Sequence, residues 1–150
     1  MYYFENKEKD LELKRILDSW LNTPFRHHCG VKGLGCDCIH FAMMVFDEMG
    51  LVDSKKIKVP DYPRDWHMHN TREILKEALI QYLNVVELNL NVESMNGDII
   101  LSHYGKASSH VGIVYGDQVY QSLTSIGVKQ ISVHDQKLSK NMKFIMRFLD

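Results

Sequence analysis

The sequence predicts a single α+β domain over residues 1–150, with helices first and an antiparallel sheet of five to six strands after them. Two patterns predict this order. Apolar residues recur at three- and four-residue spacing in the first half, and short strand-like segments separated by turn residues follow in the second half. A chain of 150 residues with 45% hydrophobic and 25% charged residues has the size and composition of one globular domain.

Three helices are expected, at 8–21, at 38–49 and from 70–73 to about Leu83. The first ends before Pro24, because proline disfavours a helical residue in front of it. The second follows Asp37, which suits an N-cap, and precedes Gly50, which suits a C-cap. The third starts with a polar cap that is followed three residues later by Glu73. The segment 51–69 is expected to be irregular.

Six short strands are expected in the second half, at 85–88, 98–102, 110–115, 118–123, 128–133 and 143–148. Gly116 and Asp117 separate the third strand from the fourth as a two-residue hairpin turn. With turns between successive strands, the pattern predicts an antiparallel meander that packs against the helices.

The composition excludes several classes of partner. Lysine and arginine total 18 and aspartate and glutamate total 19, so the net charge is -1 and no basic run offers a surface to a nucleic acid or an anionic membrane. The longest uninterrupted apolar stretch, 41–46, is far too short to span a bilayer. Charges near the start exclude a secretory signal. We therefore expect a chain that is cytoplasmic as synthesised and reaches a cell wall only if released or delivered by other machinery.

Three cysteines lie close together in the sequence: Cys29, Cys36 and Cys38. Their odd number does not suit a disulfide scaffold, which leaves a metal site or a nucleophile as interpretations. Together with His40, and with His27 and His28 nearby, they could bind zinc. However, the sequence has no C-x-x-C knuckle and no second ligand pair at a familiar spacing. No metal is therefore expected, and a structural zinc protein stays as an alternative.

Cys38 directly follows the predicted N-cap Asp37 and therefore lies in the first turn of the second helix. Free backbone N–H groups and the positive end of the helix dipole favour an anion there. Such surroundings lower a thiol pKa from about 8.5 toward about 7, which raises the thiolate fraction at neutral pH from a few per cent to about half. The same N–H groups could stabilise an oxyanion. The alternative is that Cys38 is a small buried apolar residue.

His110 and Gln121 are the pair expected to activate Cys38. A two-residue turn between their strands puts Gly112 opposite Gln121 and His110 opposite residue 123. The side chains of His110 and Gln121 then lie diagonally on one face, about 7–8 Å apart at their Cα atoms. Gln121 could hold one ring nitrogen of His110 and leave the other for Cys38. Taken singly, each residue also fits an ordinary strand position.

Four motifs in this order resemble the NlpC-type cysteine peptidases, which are papain-like cell-wall hydrolases. The motifs are Trp20-Leu-Asn-Thr-Pro-Phe25-Arg-His, Gly35-Cys-Asp-Cys38, Gly97-Asp-Ile-Ile-Leu and His110-Val-Gly-Ile-Val-Tyr-Gly. The resemblance covers about residues 16 to 123 and implies a papain-like core whose nucleophile lies at a helix N-terminus packed on the sheet. It implies Cys38 as nucleophile, His110 as base and Gln121 as the third polar member, at a position that often holds histidine. No cofactor is implied.

Three positions depart from the family pattern, and these departures bear on substrate specificity. Phe25 replaces a tyrosine, Asn22 replaces a glycine, and His40 replaces the glycine two residues after the nucleophile, with Ile39 before it in place of a small residue. In this interpretation Asp37 is a structural cap.

Three residues of the predicted loops are candidates for substrate binding: Arg26, Arg64 and Trp66. The arginines could flank the cleft and meet the carboxylates of a peptidoglycan stem peptide, and Trp66 could cover the site. The alternative is that both arginines are solvated and that Trp66 belongs to an irregular cover over the core.

The sequence therefore predicts a cysteine peptidase or amidase that hydrolyses amide bonds. The resemblance implies that its substrate is the peptidoglycan stem peptide, cut between D-glutamate and a diamino acid. The stretch 62–66 resembles variants from phage tails and mobile elements, which implies phage or secretion-machine components as further partners. A non-catalytic phage-tail or interaction module of the same fold is one alternative, and an acyltransferase or amidase on another substrate is the other.

Overall fold

A computed structural model describes residues 2–57, 73–103 and 108–149. Its helices are α1 (Lys7–Trp20), α2 (Cys38–Glu48), α3 (Ile74–Tyr82) and α4 (Gln136–Asn141). Its strands are β1 (Gly30–Val31), β2 (Gly35–Cys36), β3 (Val85–Leu88), β4 (Ile99–His103), β5 (Ser108–Tyr115), β6 (Gln118–Leu123), β7 (Gly127–Ser132) and β8 (Met142–Phe148). Short 3-10 turns lie at Tyr3–Glu5 and Ser54–Lys56.

The predicted α+β class is confirmed, with helices packed on a six-stranded antiparallel sheet. The strand order is β3-β8-β4-β5-β6-β7, so the predicted meander is wrong at one place. The last strand, β8, lies between β3 and β4. It can occupy an inner position because it is apolar on both faces: Met146 packs into the main core and Ile145 packs into a smaller cluster on the other face.

The main core lies between one face of the sheet and the helices α1, α2 and α3. The spacing that predicts α1 is the spacing of its buried residues, Leu13, Ile16, Leu17 and Trp20. The helix α2 is buried on most of its surface, which matches its mostly apolar sequence. The other face of the sheet carries the smaller cluster, which Leu138 of α4 covers.

Two elements have no counterpart in the predictions. The glycine-rich stretch expected to be a loop contains the small hairpin of β1 and β2, in which Gly30 pairs with Cys36. The helix α4 has six residues, of which Leu138 is the buried one. Both are too short to show a period in the sequence.

The remaining differences lie at the element boundaries and at the termini. The capping box expected at 70–73 lies mostly outside the described residues, and α3 begins at Ile74. Near the chain ends, Tyr2 forms an antiparallel bridge with Leu149. Across the described ranges, none of the helices combines the length and apolar character needed to cross a membrane.

Candidate active site

Asp37 is the N-cap residue of α2 and fixes where this helix begins. One of its carboxylate oxygens accepts a hydrogen bond from the backbone N–H of His40 at 2.9 Å, and the other accepts one from the N–H of His28, also at 2.9 Å. Burial raises the pKa of Asp37, but hydrogen bonding and charge from His40, together with the N–H of His28, hold it below its ordinary value. The cap leaves Cys38 as the first residue of α2.

The strands β5 and β6 separate on the side away from their turn. They pair at Ile113↔Tyr120, Val114↔Val119 and Tyr115↔Gln118, next to the turn. These pairs confirm the register that a two-residue turn predicts, and within the described part of the two strands the ladder stops before the further expected pairs 112–121 and 110–123. The helix α2 packs against both strands.

The start of α2 is joined to both separated strands. On the β5 side, the backbone N–H of Val111 acts on the Cys38 thiol as a hydrogen-bond donor. On the β6 side, the hydroxyl of Ser122 donates a hydrogen bond to the carbonyl oxygen of Cys36 at 2.8 Å. The segment that carries the thiol therefore contacts both β5 and β6 beyond the last of their described pairs.

His110 precedes Val111 on β5 and pairs with Ser102 of the neighbouring strand. The residue is half-buried, and its Nδ1 atom is buried. Because the Cys38 sulfur interacts with the N–H of Val111, the fold brings the thiol to the strand position that directly follows the imidazole.

Gln121 is buried, with 3% of its surface exposed, and lies beside Gly112. A Cβ atom built on Gly112 would stand 3.6 Å from Gln121 Oε1 and 2.4 Å from Val119 Cγ1. The glycine therefore lets the glutamine side chain reach across toward β5. His110 and Gln121 line one pocket of about 440 Å³.

The Cys38 thiol is in its neutral form at neutral pH. Burial, with the Asp37 carboxylate as a second cause, raises the pKa of Cys38 to about 12, against the lowering effect of the N–H groups of Val111, Ile39 and Cys38 itself. The expectation of a lowered thiol pKa is therefore wrong, because desolvation outweighs the N–H groups. Only 9% of the residue is exposed. A thiolate would form here by transfer of the proton to a nearby base.

The other two cysteines have different surroundings. Cys36 is fully buried, and burial raises its pKa to about 11 although a hydrogen bond with Ser122 opposes the rise. Cys29 is half-buried, and all three cysteines are free thiols. Over the ranges that the structure describes, no three histidine, cysteine, aspartate or glutamate side chains are grouped in a way that could hold a metal ion.

Of the three predicted substrate-binding residues, Arg26 lies within the described part of the chain. Arg26 is exposed, and its side chain lies across Gly35, where an added Cβ would stand 2.4 Å from Arg26 Cδ. It is not among the described lining residues of the pocket. Arg64 and Trp66 lie outside the described residues.

The walls of the pocket come from residues that the sequence reasoning missed. They belong to the β6–β7 turn, to the end of β7 and to the start of α4: Leu123, Thr124, Ile126, Ile131, Asp135, Lys137 and Leu138. One signal could have pointed to them. The turn follows directly on the strand of Gln121, and its residues therefore lie at the same end of the sheet.

Comparison with known proteins shows the fold. No protein-family model matches the chain, and no curated protein matches its sequence. Among solved structures, it resembles a lipoprotein-like protein of the NLP/P60 family from Staphylococcus aureus subsp. aureus Mu50, with a TM-score of 0.65 and 17% identity over 97% of this chain and 43% of that one. It also resembles an NlpC/P60 family protein from Bacillus cereus ATCC 10987, with a TM-score of 0.62 and 18% identity over 94% of this chain and 40% of that one.

A third similar structure is the NlpC/p60 domain of the peptidoglycan hydrolase SagA. Its TM-score is 0.55, and the 14% identity extends over 91% of this chain and 96% of that domain. The chain spans less than half the length of the first two structures and nearly all of the third. The protein therefore has the fold of NlpC/P60 proteins, as the motifs predict.

Proposed function

We propose that this chain is a cysteine hydrolase of amide bonds, with Cys38 as nucleophile, His110 as general base and Gln121 as the residue that orients the imidazole. One observation carries the proposal. The start of α2 packs against β5 and β6, the backbone N–H of Val111 acts on the Cys38 thiol, and the preceding residue, His110, shares a pocket with Gln121.

In the proposed reaction, the Cys38 proton moves to His110 and the sulfur attacks the carbonyl carbon of the substrate. The amine leaves with the proton from His110, and an acyl group stays on the sulfur. Water, deprotonated by His110, then breaks the thioester and releases the acid. The backbone N–H of Cys38 stabilises the oxyanion in both steps. Gln121 is neutral, so it orients the ring but stabilises imidazolium less than a carboxylate would.

The proposed substrate is a peptidoglycan stem peptide, cut between D-glutamate and a diamino acid. The similarity to the NlpC/p60 domain of SagA, a peptidoglycan hydrolase, supports this substrate class. The pocket lined by His110 and Gln121 combines apolar walls with Thr124, Asp135 and Lys137, and Cys38 is not among its described lining residues. Such a lining suits a peptide that carries both charged and apolar groups.

The test is mass spectrometry of purified cell-wall sacculi after digestion. We expect wild-type protein to release stem-peptide fragments whose ends identify the bond. Cys38→Ser should abolish release because a serine hydroxyl is a much weaker nucleophile beside the same base. Cys29→Ser is the matched control, since Cys29 belongs to the loop just before the same helix and should be dispensable. Unchanged release by Cys38→Ser would mean that another residue does the chemistry.

A second candidate function is a non-catalytic binding module with the same fold. It is favoured by the burial that raises the pKa of Cys38 to about 12. The same digestion separates the two functions. If the chain is a binding module, the wild-type protein should release no fragments. The wild type and Cys38→Ser should then sediment with sacculi to the same extent.

A further inference from the structure

His40 is joined to the cap of α2 by two hydrogen bonds. Its ring Nδ1 lies 2.7 Å from Asp37 Oδ1, and its backbone N–H donates to the same oxygen at 2.9 Å. The contact is sheltered, with 14% of the His40 side chain and 4% of the Asp37 side chain exposed. The imidazole therefore contacts and partly covers the Asp37 carboxylate, which is the N-cap of α2.

The surrounding loop holds the His40 ring in this position. The ring of His28 packs edge-on against it with 5.8 Å between centroids, and the ring of His27 packs against His28 at 4.3 Å. On the other side, a Cβ added to Gly30 would stand 3.1 Å from His40 Cβ. The strand β1 thus approaches the helix closely at this histidine.

The charge of Asp37 acts directly on the proposed nucleophile. Asp37 is adjacent to Cys38 in sequence, and its carboxylate disfavours a thiolate there. A protonated imidazole at 2.7 Å cancels much of that negative charge, whereas a neutral imidazole donates a hydrogen bond and leaves the charge in place. The charged and titratable groups from residue 26 to the first turn of α2, together with the candidate base on β5, are Arg26, His27, His28, Cys29, Lys32, Cys36, Asp37, Cys38, His40 and His110.

We propose that His40 is a positioning residue that sets the pH range over which Cys38 forms its thiolate. The proposal rests on the proposed function, in which that thiolate is the nucleophile. In its charged form, His40 cancels the Asp37 carboxylate and extends the reactivity of Cys38 to lower pH. In its neutral form, it keeps the cap in place and has no such effect. Histidine is the side-chain type whose charge ordinarily changes between about pH 5 and pH 8.

The test measures the rate at which iodoacetamide alkylates Cys38, followed by peptide mass spectrometry, at about pH 6 and about pH 8.5. His40→Asn keeps a donor for Asp37 without a titratable charge. We expect it to react like wild type at the higher pH and about tenfold more slowly at the lower pH, which corresponds to about one pKa unit. His40→Ala loses the donor as well and should react more slowly at both. His134→Asn, at an exposed histidine, is the matched control and should behave like wild type.

A His40→Asn variant with the same rate ratio to wild type at both pH values would overturn the proposal and leave His40 a purely structural role. This holds even if His40→Ala does not fold, because the asparagine variant keeps the cap. Alkylation does not require the peptidoglycan substrate. A pH-dependent loss in His40→Asn, combined with wild-type protein that releases nothing from sacculi, would contradict the proposed function while supporting the role of His40 at the thiol.

Discussion

The hairpin of β5 and β6 has two ends that are held by different interactions. At the closed end, Gly116 has φ of 62°, its N–H donates to Asn96 Oδ1 at 2.7 Å, and the strands pair directly. At the open end the strands separate. There the N–H of Val111 acts on the Cys38 thiol, and Ser122 binds the carbonyl of Cys36. One end is stabilised by local turn geometry, whereas the other depends on a helix from a distant part of the chain.

This difference explains why the candidate site lies where it does. A continuous ladder would satisfy the backbone of both strands and leave no N–H for another group. Where the ladder stops, the backbone must find other partners, and the start of α2 supplies them. The site is thus formed where local pairing gives way to a contact between distant segments.

The largest expected effect comes from removing the carboxylate of Asp37, the N-cap of α2. Asp37→Ala leaves the N–H groups of His28 and His40 without their acceptor in a buried place, so we expect a loss of about 3 kcal/mol in the free energy of unfolding. Asp135→Ala is the matched control. Asp135 caps α4 through the N–H of Leu138 at an exposed site, and its loss should cost about 1 kcal/mol.

Urea denaturation of both variants measures this difference. Equal urea midpoints for the two aspartate variants would contradict the claim that the Asp37 cap contributes more to the free energy of unfolding than the Asp135 cap does.

A second prediction compares one glycine at each end of the hairpin. Gly112→Ala at the open end puts a Cβ 2.4 Å from Val119 Cγ1, which is buried and stiff, and should cost about 2 kcal/mol. Gly116→Ala at the closed end meets no described atom within 4 Å, so only its positive φ opposes it, at about 1 kcal/mol. Thermal unfolding gives both values.

Release of stem-peptide fragments sharpens the same comparison. Gly112→Ala should also lower this activity, because the added Cβ approaches Gln121 Oε1. Gly116→Ala should leave the activity per folded molecule unchanged. The reverse order of activities would contradict the placement of the site at the open end.

A further expected effect is the alkaline loss of stability caused by the two buried thiols. Their folded pKa values, about 11 for Cys36 and about 12 for Cys38, lie above the ordinary value of 9.0. A raised folded pKa means that the stability is fully present below about pH 9 and is lost as the pH rises toward 11 and 12 respectively. The slope is at most about 1.4 kcal/mol per pH unit for each thiol.

Urea midpoints at pH 8.5, 9.5 and 10.5 should therefore fall more steeply for wild type than for Cys38→Ser, whose hydroxyl does not titrate there. Parallel slopes would show that the thiol is solvated rather than buried.

Local patterns in the sequence predicted a large part of the fold. The buried stripe of Leu13, Ile16 and Leu17 follows the period of a helix, and Gly116 marks the hairpin turn, because both depend on residues close together in the chain. The inner position of β8 could not be predicted. Strand order depends on which apolar faces meet across the whole core, and a strand's own sequence does not encode its neighbours.

The candidate site likewise has features that the sequence predicted and features that only the structure shows. Asp37 before Cys38 indicates a capped helix start, and the structure has that cap. The predicted register of the hairpin is confirmed next to its turn, and Gln121 lies beside Gly112 and shares a pocket with His110, although the described pairing stops before residues 112 and 121. The pocket walls around Thr124 and Lys137 carry no motif, so only the packed structure identifies them.

By itself, the sequence determined where the second helix starts, which residue caps it and where the hairpin turns, since each depends on the conformational preferences of a few adjacent residues. Only the tertiary structure decided where the pairing of β5 with β6 stops, that the start of α2 contacts both strands there, and that burial raises the pKa of the Cys38 thiol. These features arise from contacts between segments far apart in the chain and from the exclusion of water, and neither is encoded in any short stretch of residues.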